Sequence, residues 1–134
     1  MAMQIIAVNY AAVIAATIVS FIIGMIWYGP LFGKSWAKMS GVDTKQKKGM
    51  APKMVAMFIT VLVMNYVLAA VLKMTGATMI SEGLMGAFWL WLGFIATVMV
   101  GTVLWEGKPV KLYMIKVLHY LVVLLVASVI IVGM

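Results

Sequence analysis

The chain has 134 residues, 66% hydrophobic and 10% charged, with ten basic residues, all lysine, against three acidic ones and no cysteine. Too few polar side chains are present to cover a water-soluble fold, and the missing cysteines exclude disulfides, thiolate metal sites and cysteine nucleophiles. The net charge of +7 does not indicate nucleic-acid binding, because no arginine is present to read base edges and the lysines flank long apolar segments.

Four apolar segments succeed one another along the chain, over residues 5–28, 54–72, 83–105 and 112–133. Each is near or above the roughly 20 residues needed to cross about 30 Å of hydrocarbon as a helix. Only helices and closed barrels satisfy their backbone groups in lipid, and the alternating pattern of barrel strands is absent. The sequence therefore predicts an all-α, polytopic integral membrane protein, with four transmembrane helices in one compact bundle that covers residues 1–134.

The first segment is predicted to be a retained membrane helix rather than a cleaved signal peptide. No lysine precedes it, and its apolar run exceeds that of a normal signal sequence. Small residues recur every four positions along it, at Ala12, Ala16, Ser20 and Gly24. Such ridges let helix backbones approach closely in lipid. Asn9 is a polar residue inside this predicted span, and we expect its amide to hydrogen-bond another helix or to line a cavity.

Residues 29–53 are predicted to form an interfacial loop on the cytoplasmic side of the membrane. Gly29-Pro30 ends the first helix, because proline lacks an amide donor and biases its neighbour away from helix. Aromatic and basic residues alternate after it, as is typical of a segment lying at the membrane surface. Five lysines are expected to contact anionic lipid headgroups there: Lys34, Lys38, Lys45, Lys47 and Lys48.

The second and third segments carry polar or small residues within otherwise apolar runs. In the second, Asn65 is expected to link two helices or to line a cavity. In the third, Gly93, Thr97 and Gly101 again recur every four positions. We expect this ridge to pack against the ridge of the first helix, and a contact between copies of the chain is the alternative interpretation.

Ionisable side chains share one face of the fourth segment. Lys116 and His119 lie three residues apart, and Tyr113 and Tyr120 join them at helical spacing. From a helix start near residue 112, the imidazole would sit about 10 Å inside the span. One interpretation is a path for an ion, a proton or an anionic solute. The other is that the lysine reaches back to the headgroups while the histidine bonds a hydroxyl or a carbonyl.

Glu106 comes directly after the third segment and is positioned to pair with Lys111 or Lys116. An exposed pair of this kind contributes little to stability, whereas a proton-relay role would make it part of the polar path. We include Glu106 with Asn9, Asn65 and the fourth-segment residues as candidates for that path.

The lysines set the predicted orientation. Nine lie in or beside the two connections that come after the first and third segments, and only Lys73 lies on the other side. Short loops rich in lysine stay in the cytoplasm. We therefore expect a multi-pass protein of the cell inner membrane with both termini outside.

The remaining residue types predict no cofactor or metal. The fourteen methionines suggest copper(I), but they are scattered along all four segments, and such sites need methionines to converge with histidine or cysteine. One histidine and three acids in different loops cannot form a hydrolytic triad. We expect no enzyme activity.

Three runs of residues resemble a known family. They are residues 24–36 (GMIWYGPLFGKSW), residues 89–97 (WLWLGFIAT) and residues 105–109 (WEGKP). With Asn9 and Tyr120, they resemble the small bacterial membrane proteins of domain-of-unknown-function family 1761 over nearly the whole chain. The resemblance implies a four-helix membrane protein of bacterial type, and it implies no activity because the family has none assigned.

Two functions are compatible with these features. The leading hypothesis is transport or channel-like passage of an ion or small solute by a homo-oligomer, along a path lined by Lys116, His119 and Tyr120. The alternative is a structural or assembly protein that packs against a partner complex or binds membrane lipid through its lysine-rich loop.

Overall fold

A computed structural model describes residues 7–41 and 49–134, and over these residues the chain is helical, without strands. The helices are α1 (Tyr10–Ile26), α2 (Gly33–Ser40), α3 (Met50–Met74), α4 (Ile80–Trp91), α5 (Gly101–Leu104) and α6 (Val110–Gly133). A π turn over Trp27–Leu31 extends α1, and a second π turn over Leu92–Ala96 and a 3-10 turn over Val98–Val100 join α4 to α5.

Four of the resulting helical spans are long and apolar enough to cross a membrane. They are span 1 (Tyr10–Leu31), span 2 (Met50–Met74), span 3 (Ile80–Leu104) and span 4 (Val110–Gly133). The predicted fold class, an all-α polytopic membrane protein with four transmembrane helices, is therefore confirmed. Spans 2, 3 and 4 begin a few residues before the predicted segments, and part of the predicted loop 29–53 is helical.

The start of span 1 differs from the prediction. Helix α1 begins at Tyr10 rather than at residue 5, and residues 7–9 are not helical. Asn9 is the N-cap of α1, where its Oδ1 accepts a hydrogen bond of 3.2 Å from the Ala12 amide. An N-cap side chain replaces a partner that the first amides of a helix lack. The interpretation of Asn9 as a polar residue inside a span is wrong for that reason.

Helix α6 is the centre of the bundle. It packs against α1 on one side and α4 on another, while α3 packs mainly on α1 and more lightly on α6. The core cluster combines small and branched residues from all four spans: Ala16, Leu68, Leu72, Ala87, Leu124 and Ala127. Alanines at these positions let the helix backbones approach closely, which is how membrane helices gain dispersion energy.

The small-residue ridge of span 1 is inside the bundle, whereas that of span 3 is not. Ala12, Ala16 and Ser20 are buried. Gly93 and Thr97 are exposed, and a methyl group added to Gly93 would meet nothing within 4 Å. The predicted packing of these two ridges against each other is therefore wrong.

The physical reason lies in the backbone of span 3. A ridge with a spacing of four requires a continuous α-helix, but the π turn over Leu92–Ala96 adds a residue to one turn and so rotates the rest of the span by about 100°. The small residues of span 3 that do meet the bundle lie earlier, in α4. A methyl group added to Gly83 would lie 2.8 Å from Val132 Cγ2, and one added to Gly86 would lie 2.9 Å from Leu72 Cδ2.

Candidate functional site

The two ends of the bundle differ in charge. We call the end where α1 stops and α3 and α6 begin the lysine-rich end. At this end α3 is more loosely packed than elsewhere, because residues 49–60 are all exposed and its first buried residue is Val61. The Phe58 ring of this half still contacts the Phe21 ring of α1, with 5.8 Å between centroids. The gap between α1, the first half of α3 and α6 is an open groove of about 880 Å³.

The groove has an apolar wall and a polar wall. Five methionines from three spans form most of the apolar wall: Met25, Met50, Met54, Met57 and Met99. The polar wall is made by side chains from α2, α3, α6 and the first π turn: Tyr28, Ser40, Lys53, Lys116, His119 and Tyr120. The groove therefore combines flexible thioethers with two ammonium groups and several hydrogen-bond donors.

His119 lies at the inner end of the polar wall. It is the tenth residue of α6, about 14 Å from the helix start, and only 7% of its surface is exposed. Its ring centroid is 4.9 Å from those of Tyr28 and Tyr120 and 6.1 Å from that of Trp27. Neither ring nitrogen has a hydrogen-bond partner among the described residues, although a buried polar atom ordinarily has one.

The sequence of span 1 creates the space for this imidazole. Gly24 faces it, and a methyl group at that position would lie 3.4 Å from His119 Nε2. A larger side chain would push the ring aside. Gly24 thus belongs to the histidine environment as well as to the packing ridge.

The first π turn positions the aromatic residues around His119. The Phe32 amide donates to the Trp27 carbonyl over 2.8 Å, five residues back, which lets Pro30 sit in the turn without an amide of its own. Trp27 Nε1 donates to the Ile115 carbonyl of α6 over 2.9 Å. This bond fixes the end of span 1 on span 4, with Tyr28 turned toward the groove.

A second tryptophan holds span 4 from another direction. Trp91 Nε1 donates to the Val117 carbonyl over 2.6 Å. Residues 115 and 117 lie about 200° apart around a helix, so the two indoles contact α6 on opposite sides. Each of these tryptophans borders a π turn.

Helix α2 folds back over the mouth of the groove. The Trp36 ring lies 5.1 Å from the Tyr28 ring between centroids, and Lys34 and Lys38 are exposed. A methyl group on Gly33 would lie 2.5 Å from the Tyr28 carbonyl oxygen, so only glycine fits at the start of α2. Among the lysines predicted to contact lipid, Lys45, Lys47 and Lys48 lie outside the described residues.

The structure brings together Lys116, His119 and Tyr120 of the predicted path, but not the other four candidates. The Tyr113 hydroxyl donates to the Ala96 carbonyl over 2.5 Å, away from the groove. Glu106 is exposed in the turn after α5, and Asn9 caps α1 at the opposite end. The pairing of Glu106 with a lysine stays a prediction.

Asn65, the last of these candidates, occupies a polar cluster deeper in the bundle. Its Nδ2 donates to Thr17 Oγ1 over 3.2 Å and to Ser20 Oγ over 3.3 Å, and all three side chains are buried. These contacts link span 2 to span 1 in the way expected of an intramembrane amide. Within the described part of the chain, Asn65 Oδ1 has no partner.

Several groove residues are not predicted from the sequence. In the sequence, Lys53 is only a loop charge, Tyr28 and Trp36 are only interfacial aromatics, and the five methionines of the groove are scattered filler. Lys53 and the methionines after it recur at helical spacing ahead of Val61. This spacing is the one available signal, because the π turn that orients Tyr28 leaves no periodic mark.

The described residues include no group of three or more His, Asp or Glu side chains arranged to hold a metal ion. They do bring methionines together beside His119, a convergence that the sequence does not reveal. The lysines that line the same groove make it basic as well as apolar.

Comparison with known proteins identifies the family. No curated protein and no solved structure matches the chain. The profile of a protein family of unknown function, DUF1761, matches residues 11–132 and so spans all four membrane helices, the groove and the aromatic residues around His119. The chain belongs to the DUF1761 family.

Proposed function

We propose that this protein moves an ion or a small solute across the membrane and that the groove is its binding site at the lysine-rich end. The observation that carries the proposal is His119, an ionisable side chain buried within a span beside the groove, whose ring nitrogens bond no described residue. Intramembrane ionisable residues are costly and usually mark a pathway. Lys116 and Tyr120 on the same helix line the groove with it.

Buried polar groups continue inward from the groove along the seam between span 1 and span 2. Gly24 faces the histidine, and Ser20 and Thr17 lie one and two turns further along α1, both bonded to Asn65. Among the described residues Asn65 Oδ1 has no partner, and it offers a hydrogen-bond acceptor to a solute or to water in the middle of the bundle.

A second, smaller cavity of about 310 Å³ lies on the same seam at the opposite end, where Asn9, Lys73 and Thr78 line it. Between this cavity and the polar cluster, Val13 and Leu68 are buried and close the seam. Two cavities separated by an apolar layer suit a transporter whose path is closed in the middle of the bundle. The proposal requires this layer to separate during transport.

The test is flux into proteoliposomes loaded with indicators for protons, potassium and chloride. We expect the wild-type protein to raise the flux of at least one of these ions above protein-free liposomes, and His119→Ala to remove that increase. Ser128→Ala is the matched control, because Ser128 is a buried polar residue of α6 that bonds only the Leu125 carbonyl, over 2.7 Å, among the described residues. Wild-type flux at the protein-free level, or a His119→Ala variant with wild-type flux, would contradict the proposal.

The same proposal assigns the exposed ridge of span 3 to a contact between copies of the chain. Gly93 and Thr97 lie on an exposed face of the span, with open space above the glycine. A homo-oligomer would bring two such backbones together. Gly93→Leu is expected to lower the oligomer fraction in mild detergent, measured by multi-angle light scattering, while Gly29→Leu outside the ridge should not.

A second candidate function is supported by α2. Its exposed Lys34 and Lys38 and its half-buried Trp36 match a short helix that rests on anionic headgroups. A structural or assembly protein would use this surface to hold lipid or a partner complex. A stoichiometric partner in native co-purification, or lost binding to anionic vesicles after neutralising Lys45, Lys47 and Lys48 together, would favour this function over transport.

A further inference from the structure

The charges in the groove are all of one sign. Lys53 from the first turn of α3 and Lys116 from α6 line it, and among the described residues no aspartate or glutamate does. The two acidic residues that the structure describes lie elsewhere, since Glu82 caps α4 at the opposite end and Glu106 is in the turn after α5. Two ammonium groups with no described carboxylate beside them favour an anion.

This charge argues against a soft metal ion. The methionines and His119 supply thioether and imidazole ligands of the kind that copper(I) prefers. A monovalent cation bound there would, however, be repelled by both lysines. The ring nitrogens of His119 are also buried rather than exposed as ligands. The methionines are better explained as a flexible apolar wall.

The apolar wall suits a hydrocarbon chain. Met25, Met54 and Met57 are themselves exposed to the surroundings of the bundle, as are all residues of α3 before Val61. The groove is therefore open sideways, between span 1 and span 2, toward the lipid. Its volume of about 880 Å³ falls within the roughly 300–1,000 Å³ of small-molecule sites.

The charged end of the groove lies near the starts of α3 and α6. Lys53 is the fourth residue of α3, and Lys116 is the seventh residue of α6, about 9 Å from the helix start. A long lysine side chain at either position extends toward the headgroups. Tyr28, Ser40 and Tyr120 add hydroxyl groups near the same end.

We infer that the groove binds one anionic phospholipid from the surrounding leaflet, with its phosphate between Lys53 and Lys116 and one acyl chain along the methionines. This inference goes beyond the proposed function, because it assigns the groove a lipid ligand rather than the transported ion or solute. An ion-flux result and a lipid-binding result can therefore fail independently.

The test counts lipids retained by the purified protein. The protein is reconstituted in nanodiscs of equal parts phosphatidylglycerol and phosphatidylcholine, extracted in a neutral detergent and measured by native mass spectrometry. We expect one phosphatidylglycerol to remain bound. The variant Lys53→Gln/Lys116→Gln should lower the retention of this lipid roughly 10- to 30-fold, because each lysine near a headgroup contributes about 1 kcal/mol to binding.

The matched control is Lys108→Gln/Lys111→Gln. It removes the same charge from the same end of the bundle, at exposed positions that do not line the groove. Retention at the wild-type level is expected. Equal loss in both double variants would mean that general surface charge holds the lipid, and equal retention in both would mean that the groove lysines do not; either outcome overturns the inference.

A second pair of variants tests the apolar wall without touching a charge. Met57→Trp fills the groove, whereas Ile59→Trp places the same bulk on an exposed face of α3 outside the lining. Only Met57→Trp should lose the lipid, with circular dichroism showing that both variants stay helical. Displacement of the bound species by inorganic phosphate alone, or binding of silver(I) by the wild-type protein that Met57→Trp abolishes, would assign the groove to a different ligand and contradict the inference.

Discussion

Buried polar side chains determine how span 1 and span 2 are held together. Asn65 donates to both Thr17 and Ser20 in a largely apolar region, so each bond satisfies polar atoms that would be costly to leave unpaired there. Thr17 and Ser20 also bond carbonyls one turn back on α1, at 2.8 and 2.6 Å. Asn65 is therefore the one member of this cluster whose side-chain hydrogen bonds all cross between helices.

Replacing Asn65 by alanine should destabilise the protein by about 1–2 kcal/mol, because two interhelical bonds are lost and a small cavity is left. The comparison variant is Thr60→Ala, since Thr60 is exposed on the same helix and its hydroxyl donates to the Ala56 carbonyl of that helix. Thermal unfolding in detergent, followed by circular dichroism, measures both. An Asn65→Ala midpoint equal to that of Thr60→Ala would mean that the cluster does not link the spans.

At the level of single elements, the first π turn positions the aromatic side chains beside the groove. It carries Trp27 to the carbonyl of Ile115 and leaves Tyr28 against His119, and it can do so only because α2 begins tightly against it. The contact that allows this is between the backbone of Gly33 and the carbonyl of Tyr28. Backbone atoms cannot move aside as a flexible side chain would.

Gly33→Ala is therefore expected to displace α2 and to weaken lipid retention in the groove, together with a lower unfolding midpoint. Gly29→Ala serves as its control, because it lies in the same turn and an added methyl group there would meet nothing within 4 Å. Overpacking against a backbone typically costs about 1–3 kcal/mol. Identical midpoints for the two alanine variants would show that the turn does not depend on this close contact.

Helix α4 packs on α6 through glycine, and the fit leaves no room for a methyl group. The methyl group of Gly83→Ala would lie 2.8 Å from Val132 Cγ2 and 3.4 Å from the Ser128 carbonyl oxygen. The methyl group of Gly93→Ala, in the same span, would have no atom within 4 Å. We expect about 1–3 kcal/mol of destabilisation from the first. The second should be neutral or mildly stabilising, because alanine is the better helix former. Guanidinium or thermal melts in detergent distinguish them, and a reversed order would place the α4–α6 contact elsewhere.

Across the whole molecule, the sequence predicts where the helices lie better than which faces meet. Span ends can be read within a few residues, because a charged residue cannot enter hydrocarbon cheaply. The sequence says little about which helix faces pack together. A face that contacts lipid and a face that contacts another helix are equally apolar, so no periodic pattern distinguishes them. The ridge of span 1 is predicted to be a packing surface, and its residues are buried. Gly93 and Thr97 are predicted to pack against that ridge, but the π turn in span 3 prevents this contact. Likewise, His119 and Lys116 can be paired on one helix, while Lys53 needs the tertiary fold to join them.

The orientation of the whole molecule is predicted by the lysines, and the absence of cysteine makes it directly measurable. Among the described residues, Lys34, Lys38, Lys53, Lys108, Lys111 and Lys116 lie at or near one end, and Lys73 lies near the other. Positively charged short loops are retained in the cytoplasm. We therefore expect the groove to open from the cytoplasmic leaflet of the inner membrane.

Two single-cysteine variants report the orientation of the protein in the membrane without changing any lysine. Thr78→Cys and Glu106→Cys lie in exposed turns at opposite ends of the bundle. A membrane-impermeant maleimide should label Thr78→Cys on intact cells and should label Glu106→Cys only after the inner membrane is permeabilised. Labelling of Glu106→Cys on intact cells would invert the orientation, and the phospholipid in the groove would then have to come from the outer leaflet, whose composition differs.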